Sequence, residues 1–333
     1  MESTAEHIAA ARLAGPDVWT HDRVKAEKET TGLDNPAETH RAARPLWRRI
    51  WEFPLVAMIA AIALLIGAGM LIGRLIPALR AAGWSEQWLD IGPSLMLAAI
   101  SALLYKLLIR HFGGKKHDDL PLAGAFRDTG AGFVGGALLI TLCVALAAIA
   151  GVYRITGSGS GADLWAIVLL TGVYAGFFEE LLLRGIVFRW LEEMTGSWIA
   201  LALSSLIFGF LHAGNPNATF FSSLAISIEA GILLGAAYML TRSLWLAIGL
   251  HAGWNVVQGL WDVPVSGNDF DSIVSAEMTG PSLLAGGGFG LEATVFALVV
   301  ATGAGIWLLV LARRKGRIVK PMWSRKGQPI TAY

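Results

Sequence analysis

Charged residues are scarce in this 333-residue chain. Asp, Glu, Lys and Arg together make up 15% of it, against about 25% in a soluble domain. Apolar residues make up 55%, and mean hydropathy is +0.57. That is more apolar surface than a water-soluble core needs, so the bilayer is the expected solvent. Cysteine is almost absent. The single thiol, Cys143, excludes an intrachain disulfide and a cysteine-built metal cluster. It sits in an apolar run without an activating neighbour and reads as a packing residue. The first fifty residues lack an apolar h-region and carry charges of both signs, so they do not read as a signal peptide. A convincing internal repeat is also missing.

What the chain has in abundance is long apolar runs. A bilayer core takes about 20 apolar residues per helix. Eight runs qualify: Pro54–Leu79, Ile91–His111, Ala131–Tyr153, Leu164–Phe188, Ser197–His212, Phe220–Leu240, Ser243–Trp261 and Leu291–Leu311. The expected fold is all-α, a polytopic transmembrane helix bundle of about eight spans. Residues 1–50 read as a charged cytoplasmic arm, disordered to about His40. From Arg41 to Phe53, arginines interleave with Trp47 and Trp51, a mixture suited to a membrane interface. The transmembrane domain is expected over 54–312, with the chemistry in a core at 164–261, and a basic cytoplasmic tail over 313–333.

Orientation follows from basic residues near the span ends. Arg41, Arg44, Arg48 and Arg49 precede the first span; Arg110, Lys115, Lys116 and Arg127 flank the loop after the second; Arg313, Arg314, Lys315, Arg317 and Lys320 follow the last. Between Asp262 and Gly290 the chain has Asp262, Asp269, Asp271 and Glu277 but no Lys or Arg. Both termini are therefore expected in the cytoplasm of a bacterial cell and the acidic loop outside. Gly132 with Gly136, and Gly231 with Gly235, have the spacing of close helix contacts.

An ionisable residue inside a span costs about 2.5–3.5 kcal/mol on insertion scales. Arg74 and Lys106 lie near span ends and can snorkel. Glu179, Glu180, Arg184, His212, Glu229 and His251 are deeper and need another account. Glu180 and Arg184 are four apart and share a helix face. Glu179 points about 100° away, a second carboxylate that an ion pair does not need. It reads either as a general base or as part of a helix-locking network. Phe208 and His212 are four apart, as are His251 and Asn255. Together these groups imply a hydrated polar cavity able to deprotonate water, polarise a carbonyl and hold an oxyanion.

Glu-Glu-x-x-x-Arg, then Phe-x-x-x-His, then His-x-x-x-Asn, each on a successive apolar run, resembles the CPBP family of CAAX proteases and bacteriocin-processing enzymes, which includes type II CAAX prenyl endopeptidases and "abortive infection" proteins. The resemblance covers about Leu164–Trp261. It implies an intramembrane endopeptidase acting on a membrane-associated or prenylated protein or peptide. Catalytic residues would be Glu179, Glu180, Arg184, His212, His251 and Asn255. Glu179 would activate water with help from His212, Glu180 and Arg184 would tune the site, and His251 with Asn255 would hold the oxyanion. The family is described both as zinc-dependent, with His212 and His251 as ligands, and as metal-free. The paired-His helix motif of zinc proteases is absent. Expected partners are substrate and lipid, with no nucleic acid. A transporter using the cluster as a proton relay, and an inactive scaffold, are the rival readings. Glu229 lies outside the motifs and is read as pairing with Arg184 or lining the cavity. One tension stands: Glu179 falls toward the cytoplasmic half of its run, and His212 toward the outer end of the next.

Overall fold

The computed structural model describes residues 45–114 and 118–325. The disordered arm expected to about His40, and Lys115 and Lys116, lie outside the described residues. Of the first unit, 1–50, only the start of a short helix, α1 (Leu46–Trp51), is described.

The second unit, 51–333, is a helical bundle with little sheet. Its long helices are α2 (Pro54–Ala81), α3 (Glu86–Leu107), α4 (Ala125–Ile149), α5 (Leu164–Thr195), α6 (Ser197–Leu211), α7 (Phe220–Thr241), α8 (Trp245–Leu260) and α9 (Val295–Arg314). Among the described residues, seven are long and apolar enough to cross a membrane. Large apolar side chains such as Ile66, Met70, Leu103, Leu138 and Trp307 point outward from them, as a lipid-facing surface requires.

The seventh expected span, Ser243–Trp261, is α8, which has only 16 residues, about 24 Å at 1.5 Å per residue. It is shorter because protein covers both of its ends. At one end the Leu244 amide donates to Asp119 O at 2.8 Å and the Trp245 indole to Pro121 O at 2.7 Å. At the other, Leu260 O accepts from the Ser272 hydroxyl at 3.0 Å. A helix enclosed this way does not have to traverse the whole hydrocarbon layer.

Sequence chemistry sets the ends. Pro54 opens α2 after an extended Phe53. Thr219 and Ser222 form a reciprocal capping box at the start of α7, with bonds of 3.0 and 2.8 Å. Lys106 bonds Asp118 at 2.7 Å and does not simply snorkel. The acidic loop after Asp262 is ordered: Val274–Met278 (β2) pairs antiparallel with Tyr153–Ser158 (β1), placing Arg154 opposite Glu277. This ribbon was not foreseen.

The most extensive helix contact joins α4 to α8, and glycine makes it possible. A Cβ on Gly132 would lie 2.8 Å from the Leu250 nitrogen, and one on Gly136 2.7 Å from the Trp254 nitrogen. Reciprocally, a Cβ on Gly249 would come within 2.9 Å of the Phe133 nitrogen, and one on Gly253 within 2.8 Å of the Phe133 Cα. Gly231 and Gly235 serve the α6–α7 contact, against Ser205 and Leu201. Gly136→Ala should therefore force α4 and α8 apart, at a cost of about 1–3 kcal/mol for overpacking. A thermal melt in detergent reads this, and an unchanged midpoint would refute the backbone-to-backbone fit.

Candidate active site

The depth tension resolves at one residue. α5 runs seven residues past the expected end at Phe188, to Thr195, and α6 starts at Ser197. Gly196 alone joins them, at φ 79° and ψ 168°, a conformation open to glycine. Glu179 lies 17 residues before Gly196 and His212 16 residues after it. Equal arms of an antiparallel hairpin bring both to the same depth, about 25 Å from the turn.

Around Glu179 and Glu180, α5 is not uniform. Its backbone widens to π-type hydrogen bonding over Ile167–Ala175 and again over Leu181–Phe188, on either side of an α-helical turn at Gly176–Glu180. Such wide turns are frequent at functional sites. Gly176 lets α8 approach: a Cβ there would meet Ala252 at 3.1 Å.

Glu180 and Arg184 form a buried ion pair, Nη1 to Oε1 at 2.7 Å, with side chains 0% and 1% exposed. Arg184 Nη2 donates to Gly231 O on α7 at 3.1 Å, and the guanidinium carbon sits 4.6 Å from the Phe208 ring centre on α6. The same Glu180 Oε1 accepts from His251 Nδ1 at 3.0 Å. His212 Nδ1 lies 2.8 Å from Phe208 O. Both acceptors are oxygens that only accept, so each imidazole carries its proton on Nδ1. Both Nε2 atoms then face Glu179 Oε2, His212 at 3.9 Å and His251 at 4.0 Å. These separations exceed a direct hydrogen bond and suit one bridging water. Asn255 donates one amide hydrogen to Thr171 O at 3.0 Å and keeps a second for the cavity beside it.

That cavity has a volume of about 30 Å³ and is lined by His212, His251, Asn255, Ser266, Glu229 and Glu292. It has room for about two waters. Glu229 does not pair with Arg184; neither of its oxygens has a hydrogen-bond partner among the described residues. Glu292 was not foreseen as a site residue. It stands at the edge of an apolar run, where a carboxylate reads as a boundary marker. Burial lifts its carboxyl above the usual range, against the Ser266 amide, the His212 charge and the Gln258 amide.

The residues were also tested against zinc. Among the described residues no three His, Cys, Asp or Glu side chains gather at metal-ligating spacing. The nearest trio, Glu179, His212 and His251, is spread wider than zinc–ligand bonds of about 2.0–2.2 Å draw together. As arranged, the site does not fit the metal.

Seven membrane-length apolar helices with a buried polar cluster among them define an integral membrane protein. Residues 161–257 match the family model described as Type II CAAX prenyl endopeptidase Rce1-like, which places that segment in the CAAX protease family. The match covers less than a third of the chain and spans all three motifs. No curated protein and no solved structure matches the chain.

Arg184→Ala should cost about 3–5 kcal/mol, because it leaves Glu180 buried without its cation. The melt of Arg184→Ala beside wild type measures it. A loss below about 1 kcal/mol, the worth of an exposed pair, would mean that Glu180 is compensated elsewhere.

Proposed function

We propose that this chain is an intramembrane endopeptidase in which Glu179 activates water for attack on a peptide bond of a prenylated, CAAX-type or other membrane-associated substrate. The observation that carries this reading is the convergence of Glu179 Oε2 with two imidazole Nε2 atoms whose Nδ1 positions are both fixed by oxygens. Glu179 takes a proton from water as the new C–O bond forms. Asn255 donates its second amide hydrogen to the oxyanion, and His251 donates from Nε2 when its ring carries a proton on both nitrogens. The proton passes from Glu179, with His212 beside it, to the leaving nitrogen as the C–N bond breaks. Glu180 orients His251, and Arg184 holds Glu180.

Glu179→Gln keeps size and removes the base. It should lower cleavage of a farnesylated CAAX peptide by about 10²–10⁴-fold with an unchanged melt, while wild-type cleavage survives dialysis against a chelator. Retained cleavage in Glu179→Gln would overturn the base assignment. Cleavage lost to the chelator and restored by zinc would recast His212 and His251 as ligands.

The same reading sets orientation. With α8 counted, the chain crosses eight times, and the basic segments put both termini in the cytoplasm with the ribbon outside. A cysteine at Asp271 should react with an impermeant thiol reagent added to intact cells, and one at Arg314 should not. Cys143 is fully buried and should stay silent. The reverse pattern would invert the topology.

A further inference from the structure

The mechanism leaves two buried carboxyls unused. Glu229 on α7 is 1% exposed, and Glu292, in the turn before α9, is 6% exposed. Both line the cavity that His212, His251 and Asn255 also line. Their surroundings differ. Glu292 accepts from the Ser266 amide at 2.6 Å and the Ser266 hydroxyl at 3.2 Å. Ser266 holds a left-handed backbone, φ 48°, strained for a residue with a side chain. Asn215, three residues after His212, fixes it by donating to its carbonyl at 2.9 Å. That strain aims the amide at Glu292. Glu229 has no donor at either oxygen among the described residues. Arg184 reaches only the carbonyls that follow it, of Ala230 and Gly231.

Two buried carboxyls that line one small cavity repel each other when both are ionised; such pairs retain one proton between them. We infer that Glu229 and Glu292 share one proton across the cavity and so set a single negative charge against the His212 and His251 imidazoles. The inference rests on the proteolytic reading for its effect, though not for its existence. The two carboxyls are positioning residues, since they act through the imidazoles. The titratable groups facing Glu229 are Glu292, His212 and His251, with Cys143 of α4 close by; Glu292 faces Glu229 and His212. As pH rises and the second carboxyl ionises, a second negative charge faces the imidazoles, and cleavage falls.

Infrared spectroscopy of the purified full chain at neutral pH should show a protonated carboxylic-acid C=O band that shifts in D₂O. The band should vanish in Glu229→Gln and persist in Glu179→Gln. In cleavage assays the alkaline limb of the pH profile should move to higher pH in Glu229→Gln, because only one carboxyl remains to ionise. If Glu229→Gln does not insert, Glu292→Gln serves: the band should persist but shift, its proton no longer shared. No acid band in wild type, or a band unmoved by either substitution, overturns the pair and leaves the Glu179 reading intact. A band that behaves as expected in a protein without cleavage sustains the shared proton and sinks the protease.

Discussion

The burial of one guanidinium organises this bundle. Arg184 cannot reach lipid headgroups or water at 1% exposure, so every strong contact it makes must come from another helix or its own. It takes a carboxylate from its own helix α5, carbonyls from α7 and an aromatic face from α6. Glu180, thereby held in place, becomes the acceptor that fixes His251 on α8. Four helices thus meet at one cation. In a bilayer the alternative to such a knot is an uncompensated charge in hydrocarbon, which makes it an all-or-none arrangement. The second imidazole is held differently, by the carbonyl of its own preceding turn at Phe208.

The four-glycine seam between α4 and α8 complements this knot. Arg184 and Glu180 pull His251 from one side, while Gly132 and Gly136 let the α8 backbone settle from the other. Much of what positions the site lies outside the segment that matches the Rce1-like family: α4, the Ser266 turn and Glu292. The matched segment carries Glu179, Glu180, Arg184, His212, His251 and Asn255, and the rest of the chain encloses them.

The parts legible in the sequence were those where burial cost is high. Glu179, Glu180, Arg184, His212 and His251 stood out because charge inside apolar runs demands an explanation, and helical spacing alone paired Glu180 with Arg184. The span ends were less legible. α5 continues past Phe188 through Arg189, Glu192 and Glu193, charges that look like a terminus. Arg189 in fact bonds Asp119 at 3.2 Å, and Glu192 bonds Arg242 at 2.5 Å. Those partners are more than forty residues away, beyond any local pattern. The β1–β2 ribbon escaped for the same reason, since Arg154 and Glu277 meet only in the fold. Glu292 was hidden by position: only its contact with Ser266 distinguishes it from a boundary residue.

The Gly196 hairpin has a consequence for how this chain can vary in length. Glu179 and His212 are level only because their arms from Gly196 are nearly equal, so the hairpin acts as a ruler. One residue added to either arm would shift its group by about 1.5 Å along the axis and swing it by about 100° around it. The stretch from 179 to 212 is therefore closed to insertions and deletions. The loop beyond Asp262 has no such arithmetic to keep, apart from the turn that carries Ser266. Length changes among homologous chains should accumulate between β2 and α9 and stop short of the hairpin.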